Sequence, residues 1–367
     1  MNKIKLGDIL EIQPKSKIKA GEGITNGKYP FYTCSNELTK SINTADYEGD
    51  ALIMGTGGMA SIHYEKGKFS TSTDCLVYKS NKNVNLSLIN KYLRTNIYLL
   101  ENGFKGAGLR HISRDYISNI TIPLPERNLQ DKIVTELDLI EKTITNHNDV
   151  LKKYDTLIKS RFIEMFGDNP VENGKWKVEK LGNLVTVTSS KRIYAEEQST
   201  EGIPFLRISD LVSKINGIDS NDLYIPEEKY HEFVENGLVP NVDDILVTSR
   251  GTLGLCYTIT ADDKFYFQDG MITWLKFSNH ESILSIFLSF LFNVILKQKI
   301  DLKTNGATVK YVSISELKNL EIPVPPLELQ QQFADFVQQI DKSKFDVQKS
   351  LEKAETLYKS LMQEYFG

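Results

Sequence analysis

Ile122-Pro123-Leu124-Pro125-Glu126-Arg127-Asn128-Leu129-Gln130 returns 200 positions further on as Ile322-Pro323-Val324-Pro325-Pro326-Leu327-Glu328-Leu329-Gln330. The match runs outward from this stretch without a gap. Residues 106–167 align on 306–367 with 20 of 62 pairs identical, from Gly106-Ala107 and Gly306-Ala307 to Phe166-Gly167 and Phe366-Gly367. The chain is one unit written twice, and a repeat fixes the architecture before any single motif is read.

Each copy divides at its Pro-x-Pro. Before it lies a mixed segment of short β-like runs and turns. After it lies a stretch of about forty residues without glycine, whose apolar residues recur at alternating spacings of four and three. In the first these are Leu129, Ile133, Leu137, Ile140, Ile144, Leu151, Tyr154, Ile158 and Met165. In the second they are Leu329, Phe333, Val337, Ile340, Val347, Leu351, Tyr358, Leu361 and Tyr365. A heptad seam of this length predicts coiled-coil helices, with prolines at the first turn where an amide hydrogen would be unpaired anyway. At the helical rise each would be roughly 60 Å long. Only the turn-rich 167–174 separates the first helix from the second mixed segment, so a paired seam has to run antiparallel. The polar interruptions His147 and Lys344 differ between copies and read as register devices.

The expected fold is α+β: two pseudo-symmetric globular domains, 1–125 and 167–325, joined by two long antiparallel helices, 126–166 and 326–367, that form a coiled-coil spacer. The globular halves also correspond. Lys5-Leu6-Gly7-Asp8-Ile9 and Lys180-Leu181-Gly182-Asn183-Leu184 read as opening strands, and Tyr29-Pro30-Phe31 parallels Ile203-Pro204-Phe205. Gly49-Asp50-Ala51-Leu52-Ile53 parallels Asp243-Asp244-Ile245-Leu246-Val247, each leading into a glycine-rich turn at 55–58 or 249–254. The stretch between is longer and different in the second copy.

With 367 residues and 40% hydrophobic content, each domain can bury its own core. Cys34, Cys75 and Cys256 have no metal-ligand spacing and are too few for a disulfide framework, which fits a reducing cytoplasm. Residues 1–8 alternate Lys with Ile and Leu rather than forming a signal-peptide core. The apolar run 283–296 is interrupted by Ser285, Ser289 and Asn293 and is too short to span a bilayer, so it reads as a core helix. Net charge is −4 and the pI near 5.9. That argues against a general nucleic-acid binder, although neutralising phosphates requires a basic face rather than a basic average. Catalytic signatures are missing: there is no phosphate loop, Gly-x-Ser-x-Gly or His-Glu-x-x-His. Asp168-Asn169-Pro170 after a helix end is ordinary turn chemistry.

Two unlike lobes, each followed by Ile-Pro-(Leu/Val)-Pro, a Leu-Gln step and a long helix, resemble the specificity subunit of a type I restriction–modification system. The likeness covers essentially the whole chain. It includes the runs from Gly106-Ala107 to Ser113 and from Gly306-Ala307 to Ser313, and the Ser249-Arg250-Gly251-Thr252-Leu253-Gly254 turn. The first copy departs from that turn with Gly55-Thr56-Gly57-Gly58, so Arg250 has no basic twin. The resemblance implies a cytoplasmic, non-catalytic chain whose lobes each read half of a bipartite site in double-stranded DNA. Its helices would set the spacing and dock two methyltransferase subunits, and the restriction subunits would join through that core. No cofactor is expected on this chain; S-adenosylmethionine, ATP and Mg would belong to the partners. A repeat-built protein–protein scaffold without DNA specificity is the alternative, and an enzyme with a site between lobe and helix a third reading.

Phosphate and base contacts require basic, amide and hydroxyl side chains on exposed loops. Lys105, Arg110 and His111 align with Asn305, Lys310 and Tyr311, with Lys303 nearby. Lys15, Lys17 and Lys19 follow the first opening strand as Lys191 and Arg192 follow the second, and Lys66 and Lys68 flank Gly67. Arg250 and Thr252 sit in the second glycine turn. Any one of these alone reads equally well as a solvated loop charge.

Overall fold

Lys5-Leu6-Gly7 and Lys180-Leu181-Gly182 open the two halves of the chain in the same way. The computed structural model describes residues 2–108, 110–218, 220–278, 280–293 and 311–367. Two compact units divide the chain, Met1–Asp149 with Gln348–Gly367, and Val150–Val347. In the first, strand Asn2–Lys5 pairs antiparallel with Thr121–Leu124 and sets Lys3 against Pro123. In the second, Lys177–Lys180 pairs with Glu321–Val324 and sets Val178 against Pro323. Both prolines sit in two-stranded pairs, where the missing amide hydrogen deprives no further neighbour. The repeat extends to side chains: Lys5 Nζ donates to Asn119 Oδ1 at 3.0 Å, and Lys180 Nζ to Asn319 Oδ1 at 3.0 Å.

The expected opening strands at 5–9 and 180–184 are corrected: only the lysines are in strands, Asn2–Lys5 and Lys177–Lys180, which precede the expected runs. Each stops at its lysine; Leu6–Asp8 is one 3-10 turn and Leu181–Leu184 one helical turn. Close approach forces the break. A Cβ on Gly7 would stand 2.9 Å from Ser118 Cβ, and one on Gly182 3.2 Å from Lys318 Cβ, so the glycines let the chain turn against the short helices Arg114–Asn119 and Ile314–Lys318.

Each unit then builds a four-stranded antiparallel sheet in the same order. In the first it is Leu10–Ile12, Cys75–Ser80, Ala51–Gly55, Ser61–Glu65; in the second Thr186–Thr188, Ile272–Lys276, Ile245–Thr248, Cys256–Thr258. The pairing corrects the sequence match of these strands by one residue. Ile12 lies on Tyr78 and Val187 on Leu275; Leu52 also lies on Tyr78 and Ile245 on Leu275. Leu52, not Ala51, therefore occupies the place of Ile245. All of Ala51–Gly55 and Ile245–Thr248 is buried, so neither run alternates and nothing in it marks the phase.

A smaller sheet centres on Tyr29–Tyr32 in the first unit and Ile203–Leu206 in the second. Phe31 runs parallel against Ser70, and Phe205 against Tyr266, as the Pro-Phe match predicts. The extra length of the second copy forms helices Ile208–Ile215 and Glu227–Glu235. The expected core helix at 283–296 is helical over Ser285–Leu291, with Phe287, Leu288 and Leu291 buried; its end lies outside the described residues.

Both long helices are continuous, Arg127–Phe166 and Leu327–Phe366, and each contributes to both units. Their pairing is antiparallel within each unit. In the first, Tyr358 and Tyr365 donate to Glu141 and Glu136 at 2.9 and 2.6 Å, around a core of Ile133, Leu137 and Met362. In the second, Lys344 meets Asp155 at 2.7 Å and Phe162 meets the Phe333 ring at 5.3 Å, with Val337 buried beside them. Leu351 is also buried, while Ile140, Leu151, Leu329 and Ile340 are half-buried. Leu129, expected in the seam, is 40% exposed. Gln130 takes the inward position at that helix start.

The repeated Phe-Gly ending has a structural cause. Phe166 packs on Phe287 at 4.8 Å in the second unit, and Phe366 on Tyr92 at 5.0 Å in the first. Each long helix thus ends against a globular helix of the other repeat, Ser285–Leu291 for the first and Leu86–Thr95 for the second. Among the described residues, no helix is long and apolar enough to cross a membrane.

The repeated Leu-Gln step makes the joint between lobe and helix. Gln130 and Gln330 are 2% and 0% exposed. Gln130 Oε1 accepts from the Asn85 amide at 2.8 Å, and its Nε2 donates to the Pro125 carbonyl at 2.7 Å. Gln330 accepts from Leu284 N at 2.8 Å and donates to Pro325 O at 2.9 Å. Beside the first joint, Lys91 is buried and reaches Asp138 at 2.7 Å and Glu141 at 2.5 Å.

Replacing either glutamine by leucine leaves an amide and a carbonyl buried without partners. Gln130→Leu or Gln330→Leu is expected to lower unfolding free energy by about 1–3 kcal/mol in urea denaturation. Lys91→Met is expected to change it by less than about 1 kcal/mol, because the carboxylates it abandons are 58% and 43% exposed and return to water. Equal losses for the two kinds of variant would contradict this account of the joint.

Candidate nucleic-acid interface

Four loops from distant parts of the first half meet at one edge of the first unit. The chain after strand Leu10–Ile12 gives its Ile18 carbonyl to the Thr73 amide at 2.9 Å. Next, the Asp74 carbonyl accepts from the amide and hydroxyl of Thr56, each at 2.8 Å. The Thr56 carbonyl in turn accepts from Ile112 N at 3.1 Å, and Gly58 N donates to Arg110 O at 3.1 Å. His111 exchanges backbone bonds with Lys105 at 3.0 Å, while its Nδ1 lies 3.1 Å from Thr56 O. This contiguous strip uses its own backbone groups internally and leaves Lys17, Lys19, Lys105, Arg110 and His111 exposed.

The second unit builds the same strip in the same order. Ser189 Oγ accepts from Gly270 N at 3.1 Å, Met271 O from Ser249 N at 2.9 Å, and Ser249 O from Val312 N at 3.0 Å. Arg250 bridges Tyr311 as Gly57 bridges His111. Gly58 and Gly251 both adopt left-handed backbone, φ +82° and +70°, just after those positions. Arg250 thus stands where the first unit has Gly57. The strip exposes Lys191, Arg192, Arg250, Thr252 and Tyr311.

The basic side chains are not equivalent in their surroundings. Arg192 pairs with Asp269 at 2.9 Å, and Lys191 folds back over the Phe233 ring, 5.3 Å from its centre. Lys15 and Lys17 line a cleft shared with Asp46 and Glu48. Lys66 and Lys68 lie away from the strip: Gly67 O accepts from Gly49 N, at the other end of the strand that leads to Thr56, and Lys68 pairs with Glu48 at 3.7 Å. Lys303, Asn305 and Lys310 lie outside the described residues. The sequence gives no hint of Met59, which is 75% exposed beside Gly58. It also gives little weight to the turns at 73–74 and 269–271, though Asp269-Gly270 is ordinary turn chemistry.

Beneath the first strip, Cys34 Sγ donates to Asp74 O at 3.1 Å. Hydrogen bonding to Cys75, and then to the amides of Gly57 and Thr56, holds the Cys34 thiol down at about 6 against the opposing effect of burial. The Cys75 partner and burial push the Cys75 thiol up, and burial does the same to Cys256. Among the described residues no group of His, Cys, Asp and Glu could hold a metal ion. What the strip offers is a row of donors on ordered backbone, suited to phosphate oxygens and base edges.

Comparison with known proteins follows this geometry. The family model for the type I restriction modification DNA specificity domain matches residues 1–153 and 173–355. A putative type I restriction enzyme specificity subunit of Haemophilus influenzae is 24% identical over 326 residues, 86% of this chain and 81% of the relative. The MjaVIII specificity subunit of Methanocaldococcus jannaschii is 24% identical over 392 residues, 98% and 90% of the two chains. The crystal structure of a type I S subunit from M. genitalium superposes with a TM-score of 0.69 at 16% identity, covering 100% of this chain and 96% of that one.

The thiol environment is directly testable. Cys34 is expected to alkylate with an apparent pKa near 6, reactive above that pH as its thiolate forms, while Cys75 and Cys256 stay unmodified in the folded chain. Iodoacetamide labelling across pH with peptide mass spectrometry reads this out; a Cys34 midpoint near 8.5, the ordinary thiol value, would contradict the geometry.

Proposed function

The chain belongs to the type I restriction modification DNA specificity family, and from that premise we propose that it is the sequence-reading subunit of such a complex. Each unit reads one half of a bipartite asymmetric site in double-stranded DNA, and the long helices set the distance between the halves. The observation that carries this reading is the four-loop strip, built twice on matching backbone with unlike side chains at its exposed positions. A frame whose central backbone bonds at Thr56 and Ser249 repeat, with different tips, suits two readers of different short sequences.

The long helices dock two methyltransferase subunits, and the ATP-driven restriction subunits join through that core. Supporting this, the exposed faces of the helices are themselves repeated. Leu157 and Leu357 are identical in the alignment yet 46% and 50% exposed, and the exposed Lys153, Lys159 and Ser160 return as Lys353, Lys359 and Ser360. Packing within the chain does not call for that identity; two copies of one partner do. S-adenosylmethionine, ATP and Mg are then bound by the partners, in the cytoplasm where the DNA lies, and this chain itself performs no chemistry.

The test uses the full chain assembled with its methyltransferase partner. On randomised duplexes at raised salt, the complex is expected to retain one bipartite sequence class; uniform loss with salt would support a scaffold without DNA specificity. Arg110→Ala is expected to weaken binding several-fold while flattening the salt dependence by about one unit of slope. Leu157→Asp and Leu357→Asp are each expected to reduce the methyltransferase count from two to one by mass photometry. Two partners still bound to the double variant would refute the docking face.

A further inference from the structure

Arg250 stands apart from the other basic side chains of the second strip. Arg192 and Lys191 are engaged by Asp269 and the Phe233 ring respectively, whereas Arg250 is exposed and makes no ion pair among the described residues. Its one side-chain contact is weak, Nη1 at 3.8 Å from Met271 Sδ.

The backbone beneath it is held from several sides. Ser249 is buried, its Oγ 2.6 Å from Thr273 Oγ1, with its amide on Met271 O and its carbonyl on Val312 N. Thr248, also buried, closes the turn from within: its Oγ1 donates to Thr252 O at 2.5 Å and accepts from Leu255 N at 3.0 Å. Gly251 supplies the left-handed residue that follows. A guanidinium on so fixed a turn has its approach direction set before any ligand arrives, which is what bidentate recognition needs.

We propose that Arg250 is a base-reading residue, presenting its fork to the O6 and N7 acceptors of one guanine in the half-site of the second unit. The inference rests on the DNA-reading function proposed above and adds a residue and a base to it. The fork geometry fits guanine and no other major-groove edge. The first unit has no counterpart. Gly57 holds that position, and a Cβ there would meet His111 Cε1 at 3.3 Å, so the imidazole occupies the space a side chain would need. The two half-sites are therefore read by different chemistry at the same point of the frame, and the guanine read in this way belongs to the second unit's half alone.

The experiment selects bound duplexes from a library randomised across both half-sites, using the full chain with its methyltransferase partner. Arg250→Ala is expected to erase a guanine preference of roughly five- to hundredfold at one position of one half-site, leaving the other half-site unchanged. Arg250→Lys is expected to weaken the same preference, since an ammonium on a flexible stem is a point charge without the planar, pre-organised fork. Thermal unfolding of both variants should match that of the parent, because the side chain has no structural partner to lose. An unchanged sequence preference combined with weaker binding and a flatter salt dependence identifies a phosphate contact and overturns the proposal. Relaxation spread over both half-sites overturns it too. If the parent complex itself shows no sequence preference, the DNA-reading function falls and this inference with it, an outcome distinct from failure of Arg250 alone.

Discussion

A buried carboxamide at the start of each long helix is the joint on which the architecture turns. Gln130 and Gln330 must at once satisfy the carbonyl of the proline that ends the strand and an amide at the start of the lobe's own helix. Only a side chain with both a donor and an acceptor at one end does this in a dry site. Glutamate has the acceptor but would bury charge, and leucine has neither. The bond pair fixes the direction in which each long helix leaves its lobe. At their other ends, Phe166 packs on Phe287 and Phe366 on Tyr92, each a ring of the other repeat. Within each unit, therefore, the globular half of one repeat is closed by the helix end of the other, and neither repeat is complete from its own sequence alone.

This explains why identity between the copies is concentrated where it is. Positions that make the frame keep the residue: Asn119 and Asn319, Ser113 and Ser313 as helix caps, Pro123 and Pro323 in matching register. At the strip the backbone bonds of Thr56 and Ser249 match, while the acceptor role of the Ile18 carbonyl passes to the Ser189 hydroxyl. Thr56 and Ser249 play one backbone role with different side chains, and Gly57 and Arg250 share a bridge while presenting opposite chemistry. A main-chain frame tolerates this because its hydrogen bonds do not depend on what the side chains do. Side chains at the tips can therefore change without altering the frame.

Much of this was legible in the sequence, and the exceptions have physical causes. The repeat, the two long helices, their antiparallel pairing and the Pro-Phe strand all follow from spacing and connectivity. The slip of one residue between Ala51-Leu52-Ile53 and Ile245-Leu246-Val247 does not, because strands buried on both faces carry no alternation. Nor does the role of Phe162, which lies off the heptad list yet packs at once on Phe333 of the partner helix and on Phe287 of the lobe. The strip itself joins Ile18 to Thr73 and Thr56 to Ile112, contacts between segments more than fifty residues apart that no local pattern encodes. Lys66 and Lys68 looked equivalent to Lys17 and Lys19 as basic loop runs; only the strand direction separates them.

The chain's net charge of −4 bears on how such a reader works. Long-range attraction from an acidic protein is weak, so little of its affinity can come from general phosphate neutralisation. Several of the strip's cations are further damped by carboxylates, Asp46 and Glu48 near the first strip and Asp269 in the second. Such damping lowers binding to arbitrary duplex more than it lowers binding to a matched site, where short-range contacts from fixed turns act. Low background attraction favours discrimination, since the competing sites vastly outnumber the target. On the function proposed above, the affinity that this chain forgoes would come from the partners that its helices are proposed to dock. In that arrangement, reading is separated from gripping, and an acidic chain is suited to the first.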